Sequence, residues 1–240
     1  MSQDTTIFAF HNVSDRFNIG FNNISINKFI NIIRYIDFLS KTSNIEICFD
    51  DAYEDVFTNI YKSNLSFKVN KTIFPITNYL GRLNTWDVNF FYNRKKHINR
   101  EQLKELSKNY WNIGSHGHNH ISYKSVREDE IYNDMLKSKE ILEDIINKEV
   151  DTFTPPFGYF RPKMIKILEK VGYKKLYLNK YYLDEFSLVD NVCIYRRLPV
   201  YSVDNERSIN RKFKDNIYQD KFDQIVHSCS RATVFVKNIT

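Results

Sequence analysis

Short apolar runs alternate with amphipathic helical patterns along most of this 240-residue chain. The helical patterns place an apolar side chain every three or four residues, and the clearest of them covers residues 127–147. Such alternation predicts a parallel sheet covered by helices, because parallel strands need long crossover connections. About seven strand–helix units in one chain favour a closed or partly closed barrel over an open sheet. The predicted strands cover residues 7–10, 45–49, 68–76, 111–114, 150–153, 175–178 and 192–198.

The chain is predicted to form one domain. Its hydrophobic content of 42% can supply a substantial core, and no stretch in the middle has the composition of a linker. Residues 78–97 lack clean periodicity and are predicted to form a long loop. The pattern weakens after Pro199, and residues 204–240 are ambiguous between helix and strand. We therefore expect a barrel over residues 1–200 and a C-terminal extension over residues 201–240 that packs on the same domain.

Charge, cysteine usage and hydropathy narrow the functional classes. The 35 basic and 29 acidic residues are scattered, which predicts a solvated surface and no nucleic-acid partner. Cys48, Cys193 and Cys229 are widely spaced without a CxxC pair, which disfavours disulfides and a thiolate zinc site. No run approaches the roughly 18 apolar residues of a membrane-spanning helix, and residues 1–10 lack a signal-peptide pattern. We expect no transmembrane segment and a cytoplasmic location.

Polar and ionisable residues follow four of the predicted strands. His11 follows the first strand, and the adjacent Asp50 and Asp51 follow the second. A cluster of three histidines, from His116 to His120, follows the fourth, and a Thr-Pro-Pro-Phe-Gly segment follows the fifth. The carboxyl ends of parallel barrel strands lie at one face, where active sites are built. The sequence therefore predicts that these groups meet in one site.

One carboxylate and two histidines form a ligand set for a divalent metal. His116 and His120 are four residues apart, so a turn can place both imidazoles on one side. A catalytic zinc site takes three protein ligands and keeps one position for water. Either Asp50 or Asp51 is then the third ligand, and the other is left as a base. His118 is interpreted as an imidazole that does not bind the metal and that either faces outward or supports the ligands from behind.

Three segments resemble the motifs of the NodB-type polysaccharide deacetylases, carbohydrate esterase family 4. Residues 47–53, I-C-F-D-D-A-Y, resemble the family motif T-F-D-D-G-Y. Residues 114–120, G-S-H-G-H-N-H, resemble S-H-[ST]-x-x-H, and residues 153–158, F-T-P-P-F-G, resemble F-R-P-P-[FY]-G. The resemblance spans about residues 7–199 and implies a distorted (β/α)7 barrel, the NodB homology domain.

The resemblance implies unequal roles for the two carboxylates. Asp50 matches the family's catalytic base, and Asp51 matches its metal-binding aspartate. His116 and His120 match the two histidine ligands. The implied cofactor is Zn²⁺ or another divalent transition metal.

The general acid is implied by a fourth segment. Residues 10–13, F-H-N-V, resemble the Y-H-x-[IV] motif of one branch of the family, which is similar to poly-N-acetylglucosamine deacetylases. In that branch the acid histidine stands at the N-terminus, which favours His11. His227 in the C-terminal segment is the alternative acid.

The substrate groove and the environment of the base are less determined. Pro156 and Phe157 belong to the groove motif, and Trp86 and Tyr159 are further aromatic candidates to stack on a sugar. A role in the core is the alternative for each aromatic side chain. Thr154 stands where the family usually has an arginine that pairs with the base. Two arginines could replace it, Arg161 and Arg197.

The expected activity is hydrolysis of the N-acetyl group of an N-acetylated sugar, in a glycan or in a precursor of surface polysaccharide biosynthesis. One alternative keeps the same site for other amide chemistry, on a sugar acid or on a non-sugar amide. Another alternative is a catalytically degenerate barrel that binds a glycan.

Overall fold

The computed structural model describes residues 5–16, 20–63, 65–85, 94–179 and 187–236, and at residues 187–189, 227 and 229–236 it describes the backbone alone. The strands are β1 Thr6–Phe10, β2 Asn12–Val13, β3 Asn23–Ile24, β4 Ile45–Asp51, β5 Asn70–Pro75, β6 Asn112–Ile113, β7 Thr152–Phe153, β8 Lys175–Asn179, β9 Ser187–Val189 and β10 Val192–Pro199. The helices are α1 Ile26–Leu39, α2 Glu54–Val56, α3 Arg100–Lys108, α4 Glu128–Ile146, α5 Met164–Val171, α6 Glu206–Phe213 and α7 Ile217–Val236. A π-helical turn, Phe57–Tyr61, continues α2.

Seven parallel strands of the described residues form one sheet in the order β6-β5-β4-β1-β10-β8-β7. The two edge strands of this order meet, because Ser115 just after β6 pairs in parallel with Phe153 of β7. The Ser115 amide donates to the Thr152 carbonyl at 2.9 Å, and the Thr154 amide donates to the Ser115 carbonyl at 3.0 Å. The sheet therefore closes into a distorted (β/α)7 barrel, as predicted. The short β9 lies outside this order and pairs antiparallel with β10.

Helix boundaries follow local signals in the sequence. The Ser25 side chain caps α1 by accepting the Lys28 amide. Asn99 and Gln102 form a capping box at the start of α3, and Gly172 ends α5 with a φ of 92°. These boundaries were predicted from the capping residues, except that α5 begins at Met164, two residues after Pro162.

The main core fills the space between the strands and the surrounding helices. A second, smaller cluster lies apart from it and contains Ile7, Ala9, Cys48, Phe74 and Tyr177 from four strands of the barrel. Along β4 the residues alternate between the two cores, since Cys48 belongs to the smaller cluster and Ile47 and Phe49 to the main one. Asp50 has the same parity as Cys48, so the strand directs it toward the barrel interior.

The ambiguous C-terminal segment forms helices α6 and α7. Helix α6 packs against α1 and buries Ile209. The fully buried Lys212 of α6 donates to the Pro199 carbonyl at the end of β10 at 2.5 Å. Its ammonium also lies 2.7 Å from Asp204 and 3.1 Å from Asp223 of α7. These contacts join both helices to the last barrel strand, and the boundary after residue 200 stays a prediction.

The described helices include none that is both long and apolar enough to cross a membrane. Of the predicted loop over residues 78–97, the described parts form two short bridges, Tyr53 with His97 and Leu83 with Lys96.

Candidate active site

The predicted site residues meet at the carboxyl end of the barrel. His11 directly follows β1, and Asp50 and Asp51 are the last two residues of β4. His116 follows β6 by three residues, and the turn that it opens continues to His120. Chain direction is the same in all these parallel strands, so their ends bring together groups that are far apart in the sequence.

Asp51, His116 and His120 form a buried cluster whose ligand atoms all lie within 4.8 Å of one another. The Nε2 atom of His116 lies 3.6 Å from Asp51 Oδ1, and that of His120 lies 3.4 Å from the same oxygen. The Nδ1 atom of His116 is 2.8 Å from the Thr154 carbonyl, so it carries the proton and leaves Nε2 as the atom that could bind a metal. Two imidazoles and one carboxylate at this spacing fit zinc or a similar divalent metal.

The backbone turns sharply where the two carboxylates stand. Asp51 and Ala52 have φ values of 65° and 51°, a left-handed conformation that costs roughly 1–2 kcal/mol per residue. The turn is stabilised from the following loop. The His97 Nδ1 atom lies 2.7 Å from the Asp51 carbonyl, and the Ile98 amide donates to the Ala52 carbonyl at 2.9 Å. Asp51 therefore leaves the strand direction and faces the histidines, while Asp50 faces the interior.

Asp50 forms a buried ion pair with Arg197 of β10. The guanidinium Nη1 donates to Asp50 Oδ1 at 2.7 Å, and Nη2 donates to Asn179 Oδ1 at 3.2 Å. Burial alone would raise the pKa of Asp50, but Arg197, followed by His116 and His11, lowers it below its ordinary value. The carboxylate is therefore ionised and fixed in orientation at neutral pH.

Arg197 pairs with Asp50 in place of the arginine that the family usually has at the position of Thr154. The Thr154 hydroxyl donates to the Tyr177 carbonyl at 3.1 Å. Arg161, the other predicted replacement, donates to the Val126 carbonyl at 3.1 Å. The cation that pairs with Asp50 thus comes from β10 and not from the segment after β7.

His11 lies opposite the second oxygen of Asp50. Its Nε2 atom is 4.0 Å from Asp50 Oδ2, and its side chain is 23% exposed. Burial lowers the pKa of His11 to about 4, although Asp50 opposes this by favouring the imidazolium. The alternative acid, His227, is a residue of α7, and its side chain lies outside the described part of the structure.

The third histidine of the cluster faces another partner. The Nδ1 atom of His118 lies 2.8 Å from the Thr77 hydroxyl, and this residue is not part of the three-residue ligand cluster. Its backbone amide donates to Asp134 of α4 at 2.9 Å. The interpretation that His118 is not a metal ligand agrees with this geometry.

The groove residues have different environments. Phe157 has a φ of 57° and places its ring centroid 4.4 Å from that of His120. Pro156 is buried, and Tyr159 is partly buried against the main core. Trp86 lies outside the described residues. Among the predicted groove residues that the structure describes, Phe157 thus contacts the ligand cluster through His120.

Two residues that contact the site, His97 and Asp134, were not predicted from the sequence. His97 had no signal beyond its residue type, since it ends a loop without periodicity. Asp134 had a signal, because it stands on the apolar stripe of α4 between Ile131 and Ser138. A polar residue on the buried face of a helix needs a partner, and here the partner is the histidine turn.

Comparisons with known proteins agree with the fold and the motifs. The family model "Polysaccharide deacetylase" matches residues 40–176. YxkH of Bacillus subtilis, named as a polysaccharide deacetylase, is 25% identical over 128 residues, which cover 53% of this chain and 42% of that protein. The poly-beta-1,6-N-acetyl-D-glucosamine N-deacetylase of Staphylococcus aureus is 26% identical over 160 residues, 61% of this chain and 53% of that protein. The chain thus spans about half the length of these curated relatives.

Solved structures share the fold at low sequence identity. The deacetylase PplD of Streptococcus pyogenes, solved with acetate, aligns with a TM-score of 0.68 and 14% identity over 87% of this chain and 97% of that chain. IcaB of Ammonifex degensii aligns with a TM-score of 0.59 and 16% identity over 74% of this chain and 84% of that chain. Since the family model covers more than half of the sequence, the chain belongs to the polysaccharide deacetylase family.

Proposed function

We propose that this chain is a metal-dependent hydrolase that removes the N-acetyl group from an N-acetylated sugar, in a glycan or in a surface-polysaccharide precursor. The observation that carries the proposal is the placement of the Asp50–His11 pair beside the ligand cluster of Asp51, His116 and His120. The Staphylococcus aureus relative, whose name specifies N-deacetylation of a poly-N-acetylglucosamine, supports the substrate class.

The ligand cluster would hold Zn²⁺ or another divalent transition metal. When bound there, the cation supplies a Lewis acid that polarises the acetyl carbonyl and acidifies water. The protein's contribution is a rigid donor set. Asp51 is fixed by its left-handed turn, and the His116 tautomer is fixed by the Thr154 carbonyl.

Asp50 is the proposed base. Its Oδ1 atom accepts a hydrogen bond from Arg197, so Oδ2 is the oxygen that takes the proton from the attacking water. The ion pair keeps this carboxylate ionised, and so the loss of the usual arginine at Thr154 does not argue for a degenerate barrel.

His11 is the proposed acid. Its Nε2 atom lies on the same side as Asp50 Oδ2, where it can donate a proton to the leaving amine nitrogen. A pKa of about 4 leaves most of His11 neutral at neutral pH, so the proton is donated from the minor imidazolium form, which is a strong acid and is favoured by the adjacent carboxylate. The amide and one water then give the free amino sugar and acetate, with one proton taken by Asp50 and one donated by His11. Phe157 is the proposed stacking surface for the sugar.

Acetate release from an oligomer of β-1,6-linked N-acetylglucosamine tests the proposal. We expect the zinc-loaded chain to release acetate and the Asp50→Asn variant to keep its zinc while losing a factor of about 10²–10⁴ in rate. His11→Ala should lose a similar factor. A large loss on His227→Ala with little loss on His11→Ala would transfer the acid role.

The histidine turn supplies a matched control for the metal. His116→Ala should lose bound zinc, whereas His118→Asn, in the same turn, should keep it, and chelation should abolish activity in the parent. Equal zinc content in the parent and His116→Ala would overturn the ligand assignment. A zinc-loaded parent that hydrolyses other amides but no acetylated sugar would favour the alternative amide chemistry.

A further inference from the structure

We propose that Asp134 of α4 is a positioning residue of the metal site, which fixes the turn between His116 and His120 and thereby sets the affinity for the cation. The inference rests on the proposed function, because it takes Asp51, His116 and His120 as the ligands. Asp134 itself is outside the ligand cluster. Its role is exerted through the backbone that carries the two histidines.

The Asp134 carboxylate accepts four hydrogen bonds from the turn and the segment that follows it. Oδ2 accepts the His118 amide at 2.9 Å and the Tyr123 hydroxyl at 2.8 Å. Oδ1 accepts the Asn119 amide at 2.9 Å and the Asn119 side-chain amide at 3.1 Å. The side chain is buried, with 5% of its surface exposed. Hydrogen bonds to an ionised carboxylate are stronger than neutral ones, and here they replace its lost hydration.

The turn has a backbone conformation that requires such support. Gly117 has a φ of 77° and His120 a φ of 54°, so the chain is left-handed on both sides of the two amides that Asp134 binds. A Cβ atom at Gly117 would lie 2.7 Å from Asp134 Oδ2 and 2.9 Å from the Tyr123 hydroxyl. The carboxylate and the glycine therefore fit one another, and the carboxylate occupies the space inside the turn.

Helix α4 makes this support rigid. Asp134 stands on the buried face of the helix, and one turn later the Ser138 hydroxyl lies 2.8 Å from the Ser115 hydroxyl. Ser115 precedes His116 and also pairs with Phe153 of β7, which closes the barrel. The helix thus contacts the chain before the first ligand and between the two ligands. Ligand geometry that is fixed by a helix is more exact than geometry left to a loop.

The predicted consequence is a change in metal affinity without loss of any ligand. In Asp134→Asn one carboxylate oxygen becomes an NH₂ group, which faces two of the four donors and cannot accept from them. The spacing of the His116 and His120 Nε2 atoms from Asp51 should then vary. Substitutions of residues that orient metal ligands typically weaken metal binding about 10–100-fold.

Competition titration of Zn²⁺ into the metal-free chain, together with its unfolding temperature, tests the proposal. We expect the zinc Kd of Asp134→Asn to rise about 10–100-fold. The control is Glu143→Gln on the same helix, since Glu143 also accepts a backbone amide, that of Val150 at 2.9 Å, away from the site. This control should keep the zinc Kd of the parent, even if its metal-free unfolding temperature falls by as much as that of Asp134→Asn.

A milder variant covers the case in which Asp134→Asn does not fold. Tyr123→Phe removes one of the four donors and should raise the zinc Kd by a smaller factor. A zinc Kd equal to that of the parent in Asp134→Asn would overturn the positioning role. If Asp134→Asn does not fold, an unchanged zinc Kd in Tyr123→Phe would overturn it. Failure of the proposed function gives a different result, because the parent would then bind no zinc or His116→Ala would bind it equally.

Discussion

The ion pair between Arg197 and Asp50 gives the sharpest prediction on stability. Arg197 is 2% exposed and Asp50 is 4% exposed, so both charges are largely removed from bulk water. Replacing Arg197 by Met leaves Asp50 as a buried carboxylate without its cation. Breaking a buried pair in this way costs about 3–5 kcal/mol. In a domain of this size each kcal/mol lowers the Tm by about 2–4 °C, so the expected fall is about 6–20 °C.

The measurement is a double-mutant cycle by urea unfolding of the chain in the presence of a chelator. Asp50→Asn combined with Arg197→Met removes both charges, and so the double variant should be more stable than Arg197→Met alone. The matched control is Arg161→Met, which loses a single hydrogen bond to a backbone carbonyl and should cost about 1 kcal/mol. A loss below about 1 kcal/mol in Arg197→Met, or a double variant no more stable than it, would refute the argument.

Three further predictions concern the surroundings of the site. Burial raises the pKa of Glu46, although two hydroxyl groups donate hydrogen bonds to its carboxylate. The folded chain therefore retains a proton that the unfolded chain loses near pH 4.5. The free energy of unfolding should then fall as the pH rises from 4.5 through the folded-state pKa. Glu46→Gln should remove that fall above pH 4.5 in urea unfolding followed as a function of pH; an unchanged slope would contradict the assignment. His97→Phe removes the donor to the Asp51 carbonyl and should cost about 1–3 kcal/mol, whereas His97→Asn keeps a donor near the Nδ1 position and should cost less. Equal losses in the two variants would argue against that hydrogen bond. Gly114→Ala would place a Cβ atom 2.2 Å from the Phe74 ring and should lower stability by about 1–3 kcal/mol, so a neutral result by thermal unfolding would contradict the packing.

Local signals were sufficient for most of the fold. The strands and helices follow from apolar periodicity, and Ser25, Asn99 and Gly172 end or begin helices through interactions with residues three or four positions away. The order of these elements also predicts the barrel, because parallel strands joined by right-handed helical crossovers have few possible arrangements. The C-terminal helices were not predicted, since their buried contacts are with distant residues such as Pro199.

The partners of the site residues could not be predicted in the same way. Arg197 and Asp50 are 147 residues apart, and His97 and Asp51 are 46 residues apart. No periodic or local signal links positions at such separations in a single sequence. Arg197 could be named only as one of two arginines, and the structure distinguishes it from Arg161 by the strand on which it stands.

The sequence by itself determined which groups stand at the strand ends, because strand length and turn residues are local properties. It left the two adjacent carboxylates chemically equivalent, and only the resemblance to a family separated them. The tertiary structure separates them physically. The left-handed turn at Asp51 and Ala52 directs Asp51 to the histidines, and closure of the barrel brings Arg197 of β10 to Asp50. Their environments differ because one carboxylate lies beside two imidazoles and the other beside a buried cation.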